Sequence, residues 1–471
     1  MSKRPKSGLR IFCFLLFSAN CAFAGDDQNQ KLDSEFQSAV AQYKAHQYSQ
    51  AAAQLEALLP KVPKSFEVQE LLGLVYASES QTKKAVEHLQ AAVDLKPDSA
   101  AARTNLATAL SHAGNQQAAG EQLKRALALE PQAYQANHNL GEFYVHAGEL
   151  ADAVPLLEQA QKADASSYDN GYDLSLAYFL TGRLDDARQL IKTLAAQQNS
   201  GELHNLLGEV EEKDGKFVAA ANEFEIAAQM DPSEENFFDL ACEFLLHRTY
   251  DPAIDVFQKA IERYPNSARL RIGLGVTLYS RGKYDEAVKS LLAAADLTPK
   301  DPRCYLFLSK AYDSSLQQAD EVIQRFRRYA EIEPRNGLAQ YYYAMSLWKG
   351  KRTGDSTLDI HQVEALLQKS VALDPSLAQA HVQLGDLYAD QHAYDKSIPQ
   401  YVRALELNQN LPDAHYRLGQ DYVRTGQKDK AQMEFTVYQK QRAEHMAVID
   451  KEKAQVQQFV YEAKGDASAK P

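Results

Sequence analysis

From residue 32 to about residue 445, apolar, small and polar side chains recur at fixed offsets inside a unit of about 34 residues. The turns between units are the easiest marks to follow. Segments such as AAVDLKPDS, RALALEPQA, KAIERYPNS and AAADLTPKD carry Pro97, Pro131, Pro265 and Pro299; Pro97 and Pro131 stand 34 residues apart, as do Pro265 and Pro299. A proline there stops a helix, because the residue before it is pushed out of helical backbone. Self-similarity at such a period marks a repeat array, in which no unit can bury its apolar face alone and stacking supplies the core. The pattern therefore predicts an all-α chain of helix-turn-helix units.

The offsets fill in each unit. Counted from a unit's first residue, position 8 is small (Gly73, Ala107, Gly141, Ser175, Gly275, Gly385) and position 11 is often bulky (Tyr76, Tyr144, Tyr178, Tyr388). Position 20 is alanine (Ala85, Ala153, Ala253, Ala287), and position 24 is large and apolar (Leu89, Phe224, Phe257, Leu291). Small residues at 8 and 20 let two helices cross closely while the large ones fill the space beside them. Glycine at position 15 (Gly114, Gly148, Gly182, Gly215, Gly282, Gly426) is placed to close the first helix in left-handed backbone, which costs glycine little.

This frame resembles the tetratricopeptide-repeat family. Twelve units fit it, starting near Leu32, Phe66, Ala100, Tyr134, Tyr168, Gly201, Glu234, Ala268, Pro302, Gly337, Ala378 and Pro412; the family's first-helix tryptophan is absent. The resemblance implies a right-handed superhelical solenoid whose first helices line a concave surface, with positions 2, 5, 9 and 12 pointing into it. The expected layout is a signal peptide over 1–24, a loose polar leader over 25–31, the array over 32–437, a C-terminal capping helix over 438–463 and a disordered tail over 464–471. Met446, Ile449, Val456 and Val460 give the cap one apolar stripe, so one side can cover the last repeat and the other can face water. The ninth unit has a longer inter-helix turn, Ser314–Asp320. The tenth carries extra residues within Lys349–His361, read either as tolerated drift or as a contact loop or bend.

Composition adds an address. The first ten residues hold Lys3, Arg4, Lys6 and Arg10 without an acid, the apolar run Ile11–Phe17 follows, and Ala22-Phe23-Ala24 offers small residues for cleavage before Gly25. The run is too short to span a bilayer comfortably, and Asn20 before Cys21 does not suit lipidation. A periplasmic or secreted protein is expected, with no membrane insertion after cleavage. Losing that segment deepens the net charge from −12 to about −16. Such a surface repels nucleic acid, and no basic stripe is read along the chain to offset it. Of the four cysteines, Cys242 and Cys304 lie outside the signal, two repeats apart and beyond disulfide reach.

No catalytic motif stands out. Gly273-Leu274-Gly275 falls inside a first helix and lacks the strand-turn context of a dinucleotide site. His138, Glu142 and His146 share a helix face, but i to i+8 spans about 12 Å, so one ion cannot take both histidines. A pair with His112 is conceivable; polar lining of the groove is preferred. No enzyme, no metal and no cofactor are expected. The Lys/Asn clamp by which family members hold chaperone tails is missing: positions 5 and 9 are Glu70 and Leu74, Thr104 and Thr108, His138 and Glu142, Asn205 and Glu209.

The expected function is a scaffold that binds peptides or partner proteins in its concave groove. The alternative is a glycan-binding or polysaccharide-export accessory of the cell envelope, and self-association stays open. Positions 5 and 12 of repeats five to ten turn aromatic or aliphatic at Tyr172, Phe179, Phe238, Leu245, Ile272, Tyr279, Leu306, Tyr341 and Trp348. These side chains either line the groove or pack across adjacent first helices. Asp313, Glu209 and Glu212 beside them favour a ligand with basic residues next to apolar ones.

Overall fold

Short polar side chains start the first helices. Ser65, Ser99, Ser167, Ser200, Ser233 and Ser267 each accept a hydrogen bond from the backbone N–H three residues on, and Asp301 accepts one from Arg303, so donors that the first turn leaves open are satisfied. In the computed structural model, which describes residues 27–315, 317–350 and 359–443 with Ala454 and Gln457, the described residues form a series of helices and no strand. They fall into two units divided after Lys216.

The N-terminal unit holds α1 Asp27–Lys44, α2 Tyr48–Leu58, α3 Phe66–Ser78, α4 Thr82–Leu95, α5 Ala100–His112, α6 Gln116–Leu129, α7 Tyr134–Ala147, α8 Leu150–Ala163, α9 Tyr168–Leu180, α10 Leu184–Gln197 and α11 Gly201–Lys213. The C-terminal unit holds α12 Phe217–Met230, α13 Glu234–Leu246, α14 Tyr250–Arg263, α15 Ala268–Arg281, α16 Tyr284–Leu297, α17 Pro302–Ser314, α18 Ala319–Ile332, α19 Gly337–Gly350, α20 Ile360–Leu373, α21 Ala378–Asp390, α22 Tyr394–Leu407, α23 Pro412–Arg424 and α24 Lys428–Ala443. From α3 onward every odd-numbered helix begins at the residue where the sequence frame starts a repeat. The first helix differs: α1 begins at Asp27 and takes in part of the polar leader. Polar residues continue a helix readily when they face water, and an acid at its start suits the helix dipole. The residues expected to form a signal peptide, 351–358 of the insertion, most of 444–463 and the expected tail lie outside the described residues.

Close approach explains the small positions. A Cβ on Gly275 would stand 2.5 Å from Leu291 of α16, and one on Gly273 would stand 2.5 Å from the Phe257 ring of α14. The Gly-Leu-Gly of α15 is thus a double packing contact, with one glycine for each helix that flanks it. Position 24 fills the space this leaves: Leu89, Leu157, Phe257 and Leu291 are all buried. Position 11 ties one repeat to the next. Tyr178 is buried and its hydroxyl donates to Glu158 Oε1 of α8 at 2.9 Å, and Tyr76 makes the same bond to Glu56 of α2.

The second helices α16 and α24 differ at three equivalent positions. In α16, Val288, Leu292 and Ala295 are buried where the next first helix packs. The same positions of α24 are Gln432, Thr436 and Gln439, all exposed.

Candidate functional site

Within each unit, successive first helices touch one another, as α3 does α5, α7 does α9, α15 does α17 and α17 does α19. Second helices pack on the first helices before and after them, and among themselves α16 and α18 make the one such approach of similar extent. The first helices therefore form the inner rank, and the side chains of their free face are the candidate ligand-binding surface.

The eight predicted groove residues divide into two groups. Tyr172, Phe238, Leu245 and Ile272 are at most 1% exposed. This corrects the expectation that they line an open surface: they sit in the cores of their units, where neighbouring helices leave them no area to offer. Phe179, Tyr279, Tyr341 and Trp348 keep part of their surface, as Leu306 does. Phe179 belongs to the N-terminal unit, and Lys213 Nζ lies 4.7 Å from its ring centre while donating to its carbonyl at 2.8 Å. The other four belong to the C-terminal unit, on three consecutive first helices: Tyr279 on α15, Leu306 on α17, Tyr341 and Trp348 on α19. They pack at the margins of core clusters with one edge free. Tyr341 and Trp348 are seven residues apart, two helical turns, and so share a face.

Polar residues of the face are used in other ways. His138 is buried, stacked on Tyr134 at 5.3 Å, with Nδ1 3.2 Å from Asn170 Oδ1. Its ring thus serves packing between α7 and α9. Glu142 is also buried, and its Oε1 is 3.8 Å from His146 Nε2. Asp313, which was expected to form an acidic margin, is ion-paired with Lys349. Cys242 and Cys304 are both buried; burial pushes the Cys304 thiol up, and its Sγ lies 3.0 Å from the Asp301 carbonyl.

Two features of the face escaped sequence reasoning. The first is charge. At inner positions the N-terminal unit carries Glu70, Glu142, Asp169, Glu202, Glu209 and Glu212, whereas α15 and α17 carry Arg269, Arg303 and Lys310 with one acid, Asp313. The chain is acidic overall, yet it does hold a basic stretch, and the total concealed it. Counting charge by helix face would have found it. The second is a buried polar network in the last two repeats. Tyr401 OH donates to Asp386 Oδ1 at 2.6 Å, Arg417 Nε lies 3.0 Å from the same oxygen, and Ser397 donates to Asp421. Burial raises both carboxylates above their ordinary range, outweighing the lowering by Tyr401 and Arg417 at Asp386 and by Ser397 at Asp421. Position 9 was expected to point into the concave surface and position 10 was given no role, so the sequence offered no signal for this network beyond Arg417 itself.

Comparison with known proteins agrees with the repeat frame. Sequence profiles described as "Tetratricopeptide repeat" match residues 36–100, 78–129, 104–168 and 238–302, and 144–210, and one described as "TPR repeat" matches 385–426. The chain is 24% identical over 253 residues to TPR repeat-containing protein YpiA of Bacillus subtilis (strain 168), across 53% of this chain and 57% of that one. It is 24% identical over 192 residues to Protein O-mannosyl-transferase TMTC3 of Mus musculus, across 38% of this chain and 20% of that one. The chain thus spans little over half of the first relative and a fifth of the second. Among solved structures it is similar to PilW, a type IV pilus biogenesis factor (22% identity, 44% of this chain and 96% of that one, TM-score 0.40). It is also similar to YrrB, described as a TPR protein with an unusual peptide-binding site (20% identity, 39% and 96%, TM-score 0.33). Two helices to each period, a glycine or a residue in glycine's conformation between them, and profile matches along more than half of the chain agree: this protein belongs to the tetratricopeptide-repeat family.

Proposed function

We propose that this protein is an exported, non-enzymatic scaffold that binds protein or peptide partners on the first-helix faces of its units. One observation carries the reading. On α15, α17 and α19 the chain keeps Tyr279, Leu306, Tyr341 and Trp348 partly exposed on one face, while tyrosines elsewhere, such as Tyr305, Tyr312, Tyr329 and Tyr401, are fully buried. A run of half-covered aromatic side chains costs solubility unless a partner covers it. Tyr and Trp are also the residues that most often carry binding energy at interfaces, about 2 kcal/mol or more each at a hot spot. The likeness to a mannosyl-transferase brings no transferase chemistry with it, because the chain spans a fifth of that protein and no catalytic motif is read in its sequence.

Trp348 is the single tryptophan of the chain, so its emission reports on this face. Apolar peptides free of tryptophan, titrated into the full chain, are expected to shift it, and Tyr279→Ala with Tyr341→Ala to weaken binding about thirtyfold or more together. Binding that leaves the emission fixed and ignores both substitutions places the ligand elsewhere. Glycan binding that competes with the peptide favours the envelope-glycan reading. Export is tested separately: N-terminal sequencing of the protein from an envelope fraction is expected to begin at Gly25, and an intact Met1 there refutes it.

A further inference from the structure

The charge reversal between the two inner faces says more about the partner. It rests on the reading that the α15, α17 and α19 face is the ligand site. Several arginines of the C-terminal unit already hold a carboxylate: Arg281 holds Asp251, Arg303 holds Asp301, Arg325 and Arg328 share Asp296, and Arg327 holds Glu331. On the candidate face, Lys349 is likewise matched by Asp313.

Arg269 differs. It stands at the start of α15, three residues before Ile272 and ten before Tyr279, on the same face of the helix. Its guanidinium carbon lies over the Phe238 ring of α13, 3.7 Å from the ring centre, and Phe238 is itself fully buried. Among the described residues it makes no ion pair; its Nε and Nη2 are buried without a hydrogen-bond partner, and the side chain as a whole keeps part of its surface exposed. A guanidinium held on an aromatic ring is fixed in direction and partly stripped of water, so a carboxylate reaching it gains a charge-assisted bond at low ordering cost. The first turn of α15 adds the positive end of the helix dipole.

We propose that this face takes an acidic peptide segment with apolar residues between its acids. Arg269 holds one of its carboxylates, and Tyr279, Leu306, Tyr341 and Trp348 pack its apolar side chains. The partner chemistry is thus the reverse of the basic ligand that the acids of the N-terminal unit suit. This is not the family's clamp, since the cation stands at position 2 and positions 5 of these helices are apolar.

The test uses the full chain and two synthetic peptides that share their leucines and phenylalanines and contain no tryptophan. One carries glutamates between them and the other carries lysines. The glutamate peptide is expected to bind and move Trp348 emission, more weakly in high salt. Arg269→Glu is expected to cost it about tenfold or more, the worth of a charge-assisted bond, and Arg327→Glu, at a cation already matched by Glu331, to cost it little. Arg269→Gln, which keeps the stem over Phe238, gives the same direction should the charge reversal disturb folding. The lysine peptide binding equally well through Trp348, or Arg269 proving indifferent in both substitutions, overturns the charge assignment while the binding face stands. An acidic oligosaccharide that binds at Trp348 where the glutamate peptide does not overturns the peptide as occupant. Neither peptide moving Trp348 at any usable concentration sinks both the inference and the reading beneath it.

Discussion

Position 15 of each repeat offers a clean perturbation, because the chain solves one backbone problem there in two ways. Gly114, Gly148, Gly182, Gly215, Gly282 and Gly426 take φ between 76° and 87°, in the left-handed region. Repeats one, two, seven and eleven place His46, Ser80, Arg248 and His392 at the equivalent point, with φ from 58° to 61°. An L-residue pays about 1 to 2 kcal/mol for that conformation, and glycine gives back about 0.5 to 1 kcal/mol in the unfolded chain. Arg248→Gly should therefore stabilise its repeat by about 0.5 to 1 kcal/mol. Arg248 is exposed, and its backbone N–H makes the same turn bond, to Leu245 O at 3.1 Å, that Gly282 makes to Tyr279 O at 3.0 Å. His392→Gly should return less, since its Nδ1 lies 3.1 Å from the Tyr394 hydroxyl and that contact would go. Gly282→Ala should cost about 1 kcal/mol through backbone alone, because a Cβ there meets nothing within 4 Å. Repeat arrays need not unfold in one step, so the assay is hydrogen exchange read by mass spectrometry over 234–263 and 268–297. One kcal/mol is a factor of about five in exchange rate. Gly282→Ala leaving exchange unchanged, or Arg248→Gly speeding it, refutes the argument.

Acidity should tighten the last repeats. Asp386 faces Tyr401, Arg417, Asp390 and Asp413, Asp421 faces Ser397 and Arg417, and burial raises both carboxylates. As pH falls from neutral through those raised values, the folded state takes up protons that the unfolded chain does not yet take, so stability rises until the ordinary carboxylate range is reached. Exchange protection over α21 to α23, corrected for intrinsic rate, is expected to be higher at mildly acidic than at neutral pH; a fall there contradicts it. Arg188, with its side chain 13% exposed, holds Glu211 at 2.7 Å, Asp214 at 2.5 Å and Asp185 at 2.5 Å between α10 and α11. Arg188→Met should cost about 2 to 3 kcal/mol, below the full figure for breaking a buried pair because Lys216 stays 3.8 Å from Glu211. Adding Glu211→Leu should recover most of the loss, and thermal unfolding of the two variants decides it.

The fold was legible and the site only partly so, for a physical reason that lies in what each depends on. A repeat frame is set by steric needs that recur: Gly275 against Leu291, Gly141 against Leu157, Gly385 against Tyr401 all answer one helix crossing, and twelve copies of one demand are hard to misread. The inner face is set by what each position has for neighbours on either side, and that does not recur. Positions 5 and 12 were read alike in every repeat, yet Phe238 at position 5 is sealed under Arg269 while Tyr341 at position 5 keeps an edge free. Over Phe238 lies the arginine at position 2 of the following helix, whereas the residue at that position after Tyr341 is the exposed Gln379. Exposure in such an array is thus a property of pairs of adjacent repeats, not of a position. Charge follows the same logic. Net charge sums over both units, and only when side chains are assigned to faces does a basic, aromatic surface emerge from an acidic chain.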